Sequence, residues 1–455
     1  MTITLTSQQS IALDLLIDFA TGETEERMFL LEGFAGTGKS STWWNFYERL
    51  IEDGKRYFVA VSAPTNKAVG VLAKMAPRHL RDKVEFATIH SLLGLTAEID
   101  NEGHETFKPT NKRDKRASFA AFDIVLIDEA SMINAELWGL LREAMARYTS
   151  VKVIFMGDAA QLPPVNEEIS PVFSQVSNRY ALTQIVRYVA DKPIGKLVGV
   201  VRDWITGTEK QQSFQHILNV TALDSKWNDA KSNRVYSLSD NDWVDGAIAL
   251  FKSSDYKADP DFTRCICWTN KAVNYLNTRI RKAVYGDTKM PFVEGERLIC
   301  TKPVFLSGEL VLPTSSELTV LSCSQGTSSD QYKYKGYRLA VNEPQKNQDY
   351  YLFVLNESAL EQWQARCDIL KAQALKAKLA TRSEAWRGFY EHRQITAPVD
   401  YAFALTAHRS QGSTFDNVFV SYRDINRNSR VIERHKCLYV ALTRARSAVY
   451  LCGVN

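Results

Sequence analysis

A glycine-rich segment at residues 33–40, GFAGTGKS, has the GxxxxGKS spacing of a phosphate-binding loop. It follows a short apolar run typical of a buried strand and precedes a helical pattern, the context that makes this spacing meaningful. The glycines let successive backbone N–H groups surround phosphate oxygens at a helix N-terminus, whose dipole favours anions. Lys39 would reach the β- and γ-phosphates, and Ser40 would bind Mg²⁺. We therefore predict nucleotide-binding groups at Gly33, Gly36, Thr37, Gly38, Lys39, Ser40 and Ser41.

Two adjacent acids, Asp128 and Glu129, follow the apolar run in the segment VLIDEAS at residues 125–131. Adjacent carboxylates at a buried strand end are costly unless a cation neutralises them. Asp128 can hold the Mg²⁺ shell, and Glu129 can accept a proton from an attacking water. Together with the phosphate-binding loop, the pair indicates hydrolysis of ATP rather than transfer of phosphate to a metabolite.

Gln161 lies in a third polar segment, FMGDAAQLPPV at residues 155–165, which also follows an apolar run. Its side chain could contact both the γ-phosphate and the attacking water, and so respond to the state of the nucleotide. An ordinary polar loop explains the same residues equally well, and the sequence leaves both interpretations open.

The apolar runs predict an α/β fold. RMFLLEG, YFVAVSAP, FDIVLIDEA and VKVIFMGD are nearly continuous in large apolar residues, as expected for parallel strands buried on both faces. Ligands bind such sheets at the carboxyl ends of the strands. A second set of runs, TRCICWTN, DYAFALTAH, FDNVFVSY and SAVYLCGV, predicts a second α/β domain whose strands are widely separated in sequence.

Two insertions interrupt these domains. Residues 292–398 contain short β-rich segments followed by a stretch without Gly or Pro at 351–387, which predicts a small β-barrel or meander carrying a helix. Ser358 and Glu361 have the spacing of a capping box at the start of that helix. Residues 95–120 contain a turn signal between two β-compatible arms. A hairpin and an irregular loop are both compatible with this second insertion.

Composition limits the class of protein. A chain of 455 residues with 45% hydrophobic residues is expected to form two to four globular domains. No apolar run approaches the ~18–20 residues that cross a bilayer, and no secretory signal is visible, so we expect a cytosolic location without membrane contact. Seven cysteines without a CxxC pair predict neither a zinc site nor disulfides. The formal charge of +4 allows a nucleic-acid partner without requiring one.

Taken in order, the motifs resemble those of superfamily 1 helicases of the RecD/Dda-like branch, over nearly the whole chain. The phosphate-binding loop, the acid pair and the Gln161 segment are joined by LTSQQSIAL at 5–13, APTNKAVGVL at 63–72, ATIHSLLGL at 87–95, LTQIVR at 182–187, CWTNKAVNYLN at 267–277, FALTAHRSQGSTFDNVFV at 403–420 and LYVALTRARSAVYL at 438–451. The resemblance implies two RecA-like P-loop NTPase motor domains, at 1–94 with 121–190 and at 191–291 with 399–455. It further implies a β-hairpin pin at 95–120 and a β-barrel with a helical tower at 292–398.

For the nucleotide site, the resemblance implies that Gln9 reads the adenine and that Gly412 lies at the bound ATP. Arg187 and Arg444 are implied to act with Lys39, Glu129 and Gln161 in catalysis, both arginines pointing at the γ-phosphate. If both reach the loop at 33–40, ATP and Mg²⁺ bind in a cleft between the motor domains. ATP binding then closes the cleft and hydrolysis opens it.

For nucleic acid, the resemblance implies a track for single-stranded DNA across both motor domains. The implied contacts are Pro64, Thr65, Asn66, Thr88, His90, Thr269, Asn270, Lys271, Thr406 and His408. Histidines at such strand ends are also commonly structural, and the sequence leaves that alternative open. Phe107 is implied to stack at the pin, and Trp386 to lie in the segment that connects the tower toward it. Translocation from 5′ to 3′ comes from the resemblance alone.

These inferences lead to an ATP-dependent DNA helicase that translocates 5′ to 3′ and unwinds duplex. An RNA helicase, a translocase that displaces bound proteins and a nucleotide-gated nucleic-acid-binding protein remain alternatives. The resemblance implies single-stranded DNA and single-strand/duplex junctions as partners, and allows a single-stranded-DNA-binding protein or replisome proteins as further ones. It also implies a monomer of phage origin that acts in replication or recombination in the cytoplasm of an infected bacterium.

Overall fold

The computed structural model describes residues 5–52, 54–99, 105–109, 118–186, 193–208, 234–306, 309–344 and 346–453. The chain divides into two compact units. The first unit comprises Met1–Leu93, Ser118–Val284 and Phe403–Asn455, and the second comprises Gly94–Ala117 and Tyr285–Ala402. Among the described residues, none of the helices combines the length and apolar character that crossing a membrane requires.

The first unit contains two parallel sheets, each of which forms the centre of one lobe. The sheet of the first lobe has the strand order β3-β2-β6-β7-β1-β8. Its strands are β1 (Met28–Gly33), β2 (Val59–Ala63), β3 (Val84–Thr88), β6 (Ile124–Ile127), β7 (Lys152–Gly157) and β8 (Arg179–Leu182). The central strands β2 and β6 are buried along their whole length, as their continuous apolar sequences predict.

The helices of the first lobe cover this sheet. They are α1 (Ser7–Thr21), α2 (Lys39–Glu52), α3 (Asn66–Met75), α4 (Arg78–Arg81), α5 (Ile89–Leu92), α6 (Ala135–Arg147) and α7 (Pro171–Gln175). Helix α2 buries Trp43, Phe46, Tyr47 and Leu50 in the core. This spacing places four large side chains on one face of the helix, so α2 is anchored directly behind the phosphate-binding loop.

The sheet of the second lobe has the order β18-β10-β19-β20-β9 and is also parallel throughout. Its strands are β9 (Arg234–Leu238), β10 (Thr263–Cys267), β18 (Ala404–Thr406), β19 (Phe415–Ser421) and β20 (Ala445–Cys452). The helices of this lobe are α8 (Pro193–Thr206), α9 (Asp240–Lys252), α10 (Ser254–Ala258), α11 (Asn270–Tyr285), α14 (Ala407–Ser410), α15 (Tyr422–Asn426) and α16 (Val431–Thr443). The predicted fold class, with two RecA-like α/β lobes, is confirmed.

The second unit contains a five-stranded antiparallel sheet with the order β16-β15-β14-β11-β17. Its strands are β11 (Arg297–Cys300), β14 (Glu317–Thr327), β15 (Lys335–Glu343), β16 (Gln348–Leu355) and β17 (Val399–Tyr401). The amide of Ala397, just before β17, donates to the carbonyl of Phe353 in β16, so the two edges of the sheet approach each other. A separate antiparallel pair is formed by β12 (Val304–Leu306) and β13 (Glu309–Leu312), and its Val304 and Leu312 belong to the apolar core of this sheet.

The two compact units meet at Val284/Tyr285 and Ala402/Phe403, whereas the predicted boundaries were 291/292 and 398/399. The run DYAFALTAH at 400–408 was predicted as one strand of the second α/β domain. The structure divides it between β17, which pairs with β11 in the second unit, and β18, which pairs with β10 in the second lobe. The two short strands are joined at Ala402, where the chain passes from one unit to the other.

The predicted tower helix is a helical hairpin, α12 (Glu357–Lys376) and α13 (Leu379–Arg393). The break lies at Ala377 and Lys378, whose backbones are extended although neither is Gly or Pro. The capping box at Ser358 was wrong, because α12 begins at Glu357, two residues before the start that a Ser358 cap predicts, and the Asn356 side chain accepts from the Ser358 amide. Apolar residues of both helices form one cluster, so tertiary packing selects the hairpin over a single long helix.

A two-stranded antiparallel ladder occupies the smaller insertion, with β4 (Leu95–Ile99) opposite β5 (Glu105–Pro109). Helix α13 contacts β4 within the second unit. The hairpin interpretation of this insertion is therefore favoured over the irregular loop. The predicted roles of pin, barrel and tower stay predictions.

Candidate functional site

The phosphate-binding loop joins β1 to α2, and its glycines are required by its backbone. Gly36 and Gly38 have φ values of 86° and 85°, a region that L side chains rarely adopt. A Cβ at Gly38 would lie 2.2 Å from Nε2 of Gln9, and one at Gly33 would lie 2.7 Å from the Thr37 hydroxyl. The sequence pattern thus reflects a tightly folded loop with no room for larger residues.

A cavity of about 320 Å³ lies at this loop, within the ~300–1,000 Å³ typical of small-molecule sites. Both lobes of the first unit contribute to its lining. The predicted site residues that line it are Gly36, Gly38, Lys39, Ser40, Ser41, Asp128, Glu129, Gln161, Gly412 and Arg444. Residues that are about 400 positions apart in the sequence therefore meet in one cavity, as the cleft prediction requires.

Asp128 and Glu129 lie at the carboxyl end of β6, and both have raised pKa values. Desolvation is the largest cause of the raised pKa of Asp128, and the nearby Lys39 charge partly opposes it. Burial raises the pKa of Glu129 to about 7, the neighbouring Asp128 charge adds to this, and Arg444 and Lys39 lower it. Glu129 also has a left-handed backbone with φ of 54°. A carboxyl group that titrates near neutral pH is suited to accept a proton from water.

Lys39 contributes positive charge to a cavity rich in carboxylates. Its Nζ donates to the backbone carbonyls of Gly33 at 2.6 Å and Phe34 at 3.3 Å. Its charge lowers the pKa of Glu32, Asp128 and Asp158, but desolvation still raises all three. The remaining excess of acidic groups, together with the Ser40 hydroxyl, fits a divalent cation with oxygen ligands such as Mg²⁺.

Gln161 is buried, and its amide oxygen accepts no hydrogen bond from any described residue. Buried polar atoms are normally paired, so an unpaired amide oxygen at a cavity indicates a missing partner such as water or ligand. This observation favours the catalytic prediction for Gln161 over an ordinary polar loop.

Arg444 and Gly412 come from the second lobe. The Arg444 guanidinium follows α16 and donates to the carbonyls of Val440 and Ser413 at 3.2 Å. Gly412 has a φ of 71°, and a Cβ there would lie 3.2 Å from the Cβ of Ala68 in the first lobe. Both residues are therefore held at the cavity wall by contacts that leave little freedom.

Arg187 lies outside the described residues. The preceding residue, Val186, lines the cavity, and its amide donates to the Gly36 carbonyl at 2.8 Å. The segment that leads to Arg187 is thus fixed to the phosphate-binding loop. The catalytic role of Arg187 stays a prediction.

Gln9 lies over the phosphate-binding loop. Its Nε2 donates to the Thr37 carbonyl at 3.0 Å, and its Oε1 accepts from the Thr6 amide in a capping box that starts α1. The adenine contact stays a prediction. The neighbouring Gln8, which the sequence analysis missed, accepts from the amides of Thr183 and Gln184 and so ties α1 to the segment after β8.

The predicted nucleic-acid contacts form a pattern that is repeated in the two lobes. Thr65 and Thr269 each follow a strand and begin the same five residues, TNKAV, at 65–69 and 269–273. Each threonine hydroxyl accepts from the amide three residues later, at Ala68 and Ala272 respectively. Pro64 precedes the first copy, and Asn66, Asn270 and Lys271 lie in the first turns of α3 and α11.

A second repeated pattern is Thr-x-His. Thr88 ends β3 and accepts from the Ser91 amide, and Thr406 ends β18 and accepts from the Arg409 amide. His90 and His408 lie two residues after these caps. Burial lowers the pKa of both histidines, so both are neutral at pH 7. A neutral imidazole can donate one hydrogen bond to a phosphate, but the structural alternative is equally compatible with this burial.

Asp424, which the sequence did not indicate as a site residue, fixes the start of the TNKAV segment in the second lobe. Asp424 is buried and accepts from the amides of Trp268 and Thr269 at 2.8 Å, and from the Thr269 hydroxyl at 2.9 Å. Only spatial proximity reveals this role, because Asp424 lies 155 residues further along the chain than Thr269.

The two predicted contacts in the second unit differ in outcome. Phe107 is half-buried on β5 opposite Ala97, and its role at a pin stays a prediction. Trp386 as a nucleic-acid contact is wrong, because its indole is 4% exposed inside the helical hairpin. It packs edge-on against Phe389 with ring centroids 5.6 Å apart, so its faces are occupied by protein.

Comparisons with known proteins agree with this geometry. Residues 19–167 match the model of an AAA domain, and residues 401–452 match that of a UvrD-like helicase C-terminal domain. The chain is 24% identical to the ATP-dependent DNA helicase Dda of Enterobacteria phage T4, covering 92% of this chain and 93% of that protein. It is 23% identical to the uncharacterized protein R530 of Acanthamoeba polyphaga mimivirus, covering 96% and 98%.

The fold is shared with a solved structure of a Pif1 helicase from Bacteroides in complex with ADP-AlF3 and ssDNA. The match has a TM-score of 0.52 and 16% identity, and covers 98% of this chain and 92% of that one. The order of the motifs, the two parallel sheets and these similarities are consistent with a superfamily 1 helicase of the RecD/Dda-like branch, which the chain resembles.

Proposed function

We propose that the protein is an ATP-dependent DNA helicase that translocates 5′ to 3′ on single-stranded DNA and unwinds duplex. The observation that carries the proposal is the shared cavity. The phosphate-binding loop, Asp128 and Glu129 from the first lobe line it together with Gly412 and Arg444 from the second. A nucleotide bound there would contact both lobes. Its hydrolysis would therefore change the stability of the closed arrangement of the lobes relative to the open one.

In the proposed reaction, the backbone amides of the loop and the Lys39 ammonium hold the β- and γ-phosphates. Ser40 and Asp128 would hold Mg²⁺, which would neutralise charge on the phosphate oxygens. Glu129 accepts the proton of the attacking water, and the Gln161 amide oxygen orients that water. Arg444 stabilises the charge that develops on the γ-phosphoryl group.

The repeated threonine-capped helix starts support a nucleic-acid track on each lobe. The dipole of a helix favours anions such as phosphate at its N-terminus, and Thr65, Thr88, Thr269 and Thr406 each begin a helix. Phosphate contacts fix the position of the strand and carry no sequence information, so we expect little sequence preference. The relatives named as helicases and the Pif1 structure with ssDNA support DNA as the polymer.

A paired experiment tests this function. We expect ATPase activity to rise strongly with single-stranded DNA and little with RNA of the same sequence. We also expect unwinding of a duplex with a 5′ tail but not of one with a 3′ tail. Stimulation by RNA alone would favour the RNA helicase. The opposite tail preference would refute the polarity, and DNA binding without ATPase stimulation would favour the nucleotide-gated binding protein.

The likeness to a phage helicase supports a proposal for the biological role, the oligomeric state and the partners of the protein. We place the activity in replication or recombination in the cytoplasm of an infected bacterium, where single-strand/duplex junctions are the substrate. The motor needs no ring of subunits in this branch, so we propose that it acts as a monomer. A single-stranded-DNA-binding protein or replisome proteins would be its partners on the same strand.

Phe107 tests the proposed pin. Its aromatic ring lies on the two-stranded ladder β4–β5, and we propose that it stacks on the base pair at the junction. Phe107→Ala is expected to reduce the unwinding rate by about tenfold, the loss expected for one base-stacking contact of ~1–3 kcal/mol, while DNA-stimulated ATPase stays within about twofold. Measuring both rates on the same preparation separates strand separation from translocation.

Tyr351→Ala is the matched control for Phe107, because Tyr351 is an aromatic residue of the second unit that is 79% exposed on β16. We expect this variant to unwind like the wild type. Equal losses of unwinding and ATPase in Phe107→Ala would show that the residue serves the motor in general and not the junction.

A further inference from the structure

The Tyr439 hydroxyl joins three distant segments of the first unit. Tyr439 lies in α16 of the second lobe and is fully buried. Its oxygen accepts from the Ala35 amide at 3.0 Å, and its proton is donated to Oδ2 of Asp158 at 2.8 Å. Ala35 belongs to the phosphate-binding loop, and Asp158 follows β7 in the first lobe. One side-chain atom of the second lobe therefore forms hydrogen bonds with both the phosphate-binding loop and the segment after β7 in the first lobe.

The other oxygen of the Asp158 carboxylate is also hydrogen-bonded. The second carboxylate oxygen of Asp158 accepts from the Ala160 amide at 2.9 Å. Burial raises the pKa of Tyr439 well above its ordinary value, so the hydroxyl stays neutral and keeps the proton it donates. Buried networks in which every member is paired are rigid, and removal of one member leaves the others unsatisfied.

Two further bonds from the second lobe reach the same segment, residues 158–162. Nζ of Lys436, one turn before Tyr439 on α16, donates to the Ala159 carbonyl at 3.0 Å. Nε2 of Gln411 donates to the Leu162 carbonyl at 3.0 Å. The segment between these bonds carries Gln161, whose unpaired amide oxygen lies at the cavity. The second lobe therefore holds the backbone of this segment on both sides of Gln161.

Helix α16 also ends at the cavity. Its last residue, Thr443, precedes Arg444, whose guanidinium lines the cavity and donates to Thr443. The same rigid helix thus contacts the segment of Gln161 through Tyr439 and carries Arg444 at its end. A fixed position of this helix would place the two groups on the phosphate together.

We propose that Tyr439 is a positioning residue of ATP hydrolysis, whose hydroxyl fixes the distance between the phosphate-binding loop, Asp158 and α16 so that Gln161 and Arg444 act at the same time. The inference rests on the proposed ATPase function. Tyr439 does not line the cavity, and in the loop its hydroxyl bonds Ala35 rather than the residues from Gly38 to Ser41. Its loss should therefore slow the chemical step and leave ATP binding largely unchanged.

Tyr439→Phe tests the proposal, because it keeps the ring and removes only the hydroxyl. We expect kcat of the DNA-stimulated ATPase to fall about ten- to a hundredfold, as for a misplaced catalytic group, with KM for ATP within about threefold of the wild type. Hydrogen exchange of peptides covering the loop and residues 158–162 should become faster in the nucleotide-free protein, because the Ala35 amide has lost its acceptor.

Tyr47→Phe is the matched control. Tyr47 is as deeply buried as Tyr439, and its hydroxyl donates to the Lys83 carbonyl inside the first lobe. We expect it to lose thermal stability without a change in kcat. In an Asp158→Asn background, Tyr439→Phe should cost much less than in the wild type, because the hydroxyl acts through residue 158 and the two losses are not additive.

Three results would overturn the inference. These are a Tyr439→Phe variant with wild-type kcat, one whose loss matches that of Tyr47→Phe, and one with raised KM and unchanged kcat. A wild-type protein without DNA-stimulated ATPase would overturn the proposed function instead. Hydrogen exchange at the Ala35 peptide then still decides the inference, since unchanged exchange in Tyr439→Phe would show that the hydroxyl fixes nothing.

Discussion

Lys39→Ala is expected to abolish ATP hydrolysis while single-stranded-DNA binding is retained. Lys39 lines the cavity together with Asp128 and Asp158, and its charge lowers the pKa of both carboxyl groups. Without it, the cavity keeps its acidic groups and loses the group that offsets them, so the phosphates of ATP would be repelled. Loss of one such transition-state contact costs about 10²–10³ in kcat, and loss of a full charge here should reach at least that.

The measurement is DNA-stimulated phosphate release, with fluorescence anisotropy for DNA binding. Lys257→Ala is the control, because Lys257 is an exposed lysine of α10 that lies outside every site motif. A Lys39→Ala variant that hydrolyses ATP near the wild-type rate would refute the assignment of the loop. Loss of DNA binding at the same time would show that the substitution unfolds the first lobe.

Glu129→Gln is expected to bind ATP but to hydrolyse it about 10²–10⁴ times more slowly, the range for loss of a general base. The amide keeps the size of the carboxyl group and removes its ability to accept a proton. Trapped ATP should accumulate on the variant in a single-turnover experiment, and Glu143→Gln on the exposed face of α6 provides the control. Wild-type turnover in Glu129→Gln would assign the base to another residue.

The pH dependence follows from the raised pKa of Glu129. In the nucleotide-free protein this pKa is about 7, so the carboxyl group is increasingly protonated as the pH falls below 7. A protonated acid cannot accept the water proton, and kcat/KM should therefore fall about tenfold per pH unit on the acidic side. Asp128 and Glu129 interact, so the measured limb belongs to the pair. Glu129→Gln should lose this limb.

Strand prediction succeeded where strands lie inside the sheets. The continuous apolar runs predicted β1, β2, β6 and β7, which are neighbours in the middle of the first sheet. The strands β3, β8 and β9 were missed, and all three are edge strands with partly exposed side chains. An edge strand needs no continuous apolar run, so its sequence carries a weaker signal.

In the nucleotide site as well, the residues that could be predicted act locally, and those that were missed act through tertiary contacts. The glycines of the loop and the acids after β6 act through their own backbone and their neighbours, so their spacing is visible in the sequence. Tyr439 and Asp424 act on residues that lie 404 and 155 positions away. Tyr439 lies within the motif at 438–451, but the motif gives no sign of these two hydrogen bonds, and Asp424 lies outside every motif. The error at Trp386 has the same origin, because only packing decides whether an aromatic ring is covered.

The strand order of the second lobe has a consequence for synthesis of the protein on the ribosome. Strand β20 lies between β19 and β9, so this sheet stays divided until residue 452 has left the exit tunnel. Arg444 and Tyr439 emerge just before it, about 400 residues after the loop that they serve. The nascent chain therefore carries the phosphate-binding loop without an opposing cavity wall until these residues emerge. Contacts this distant in sequence form slowly, so we expect ATPase activity to appear only after residue 452 has left the tunnel.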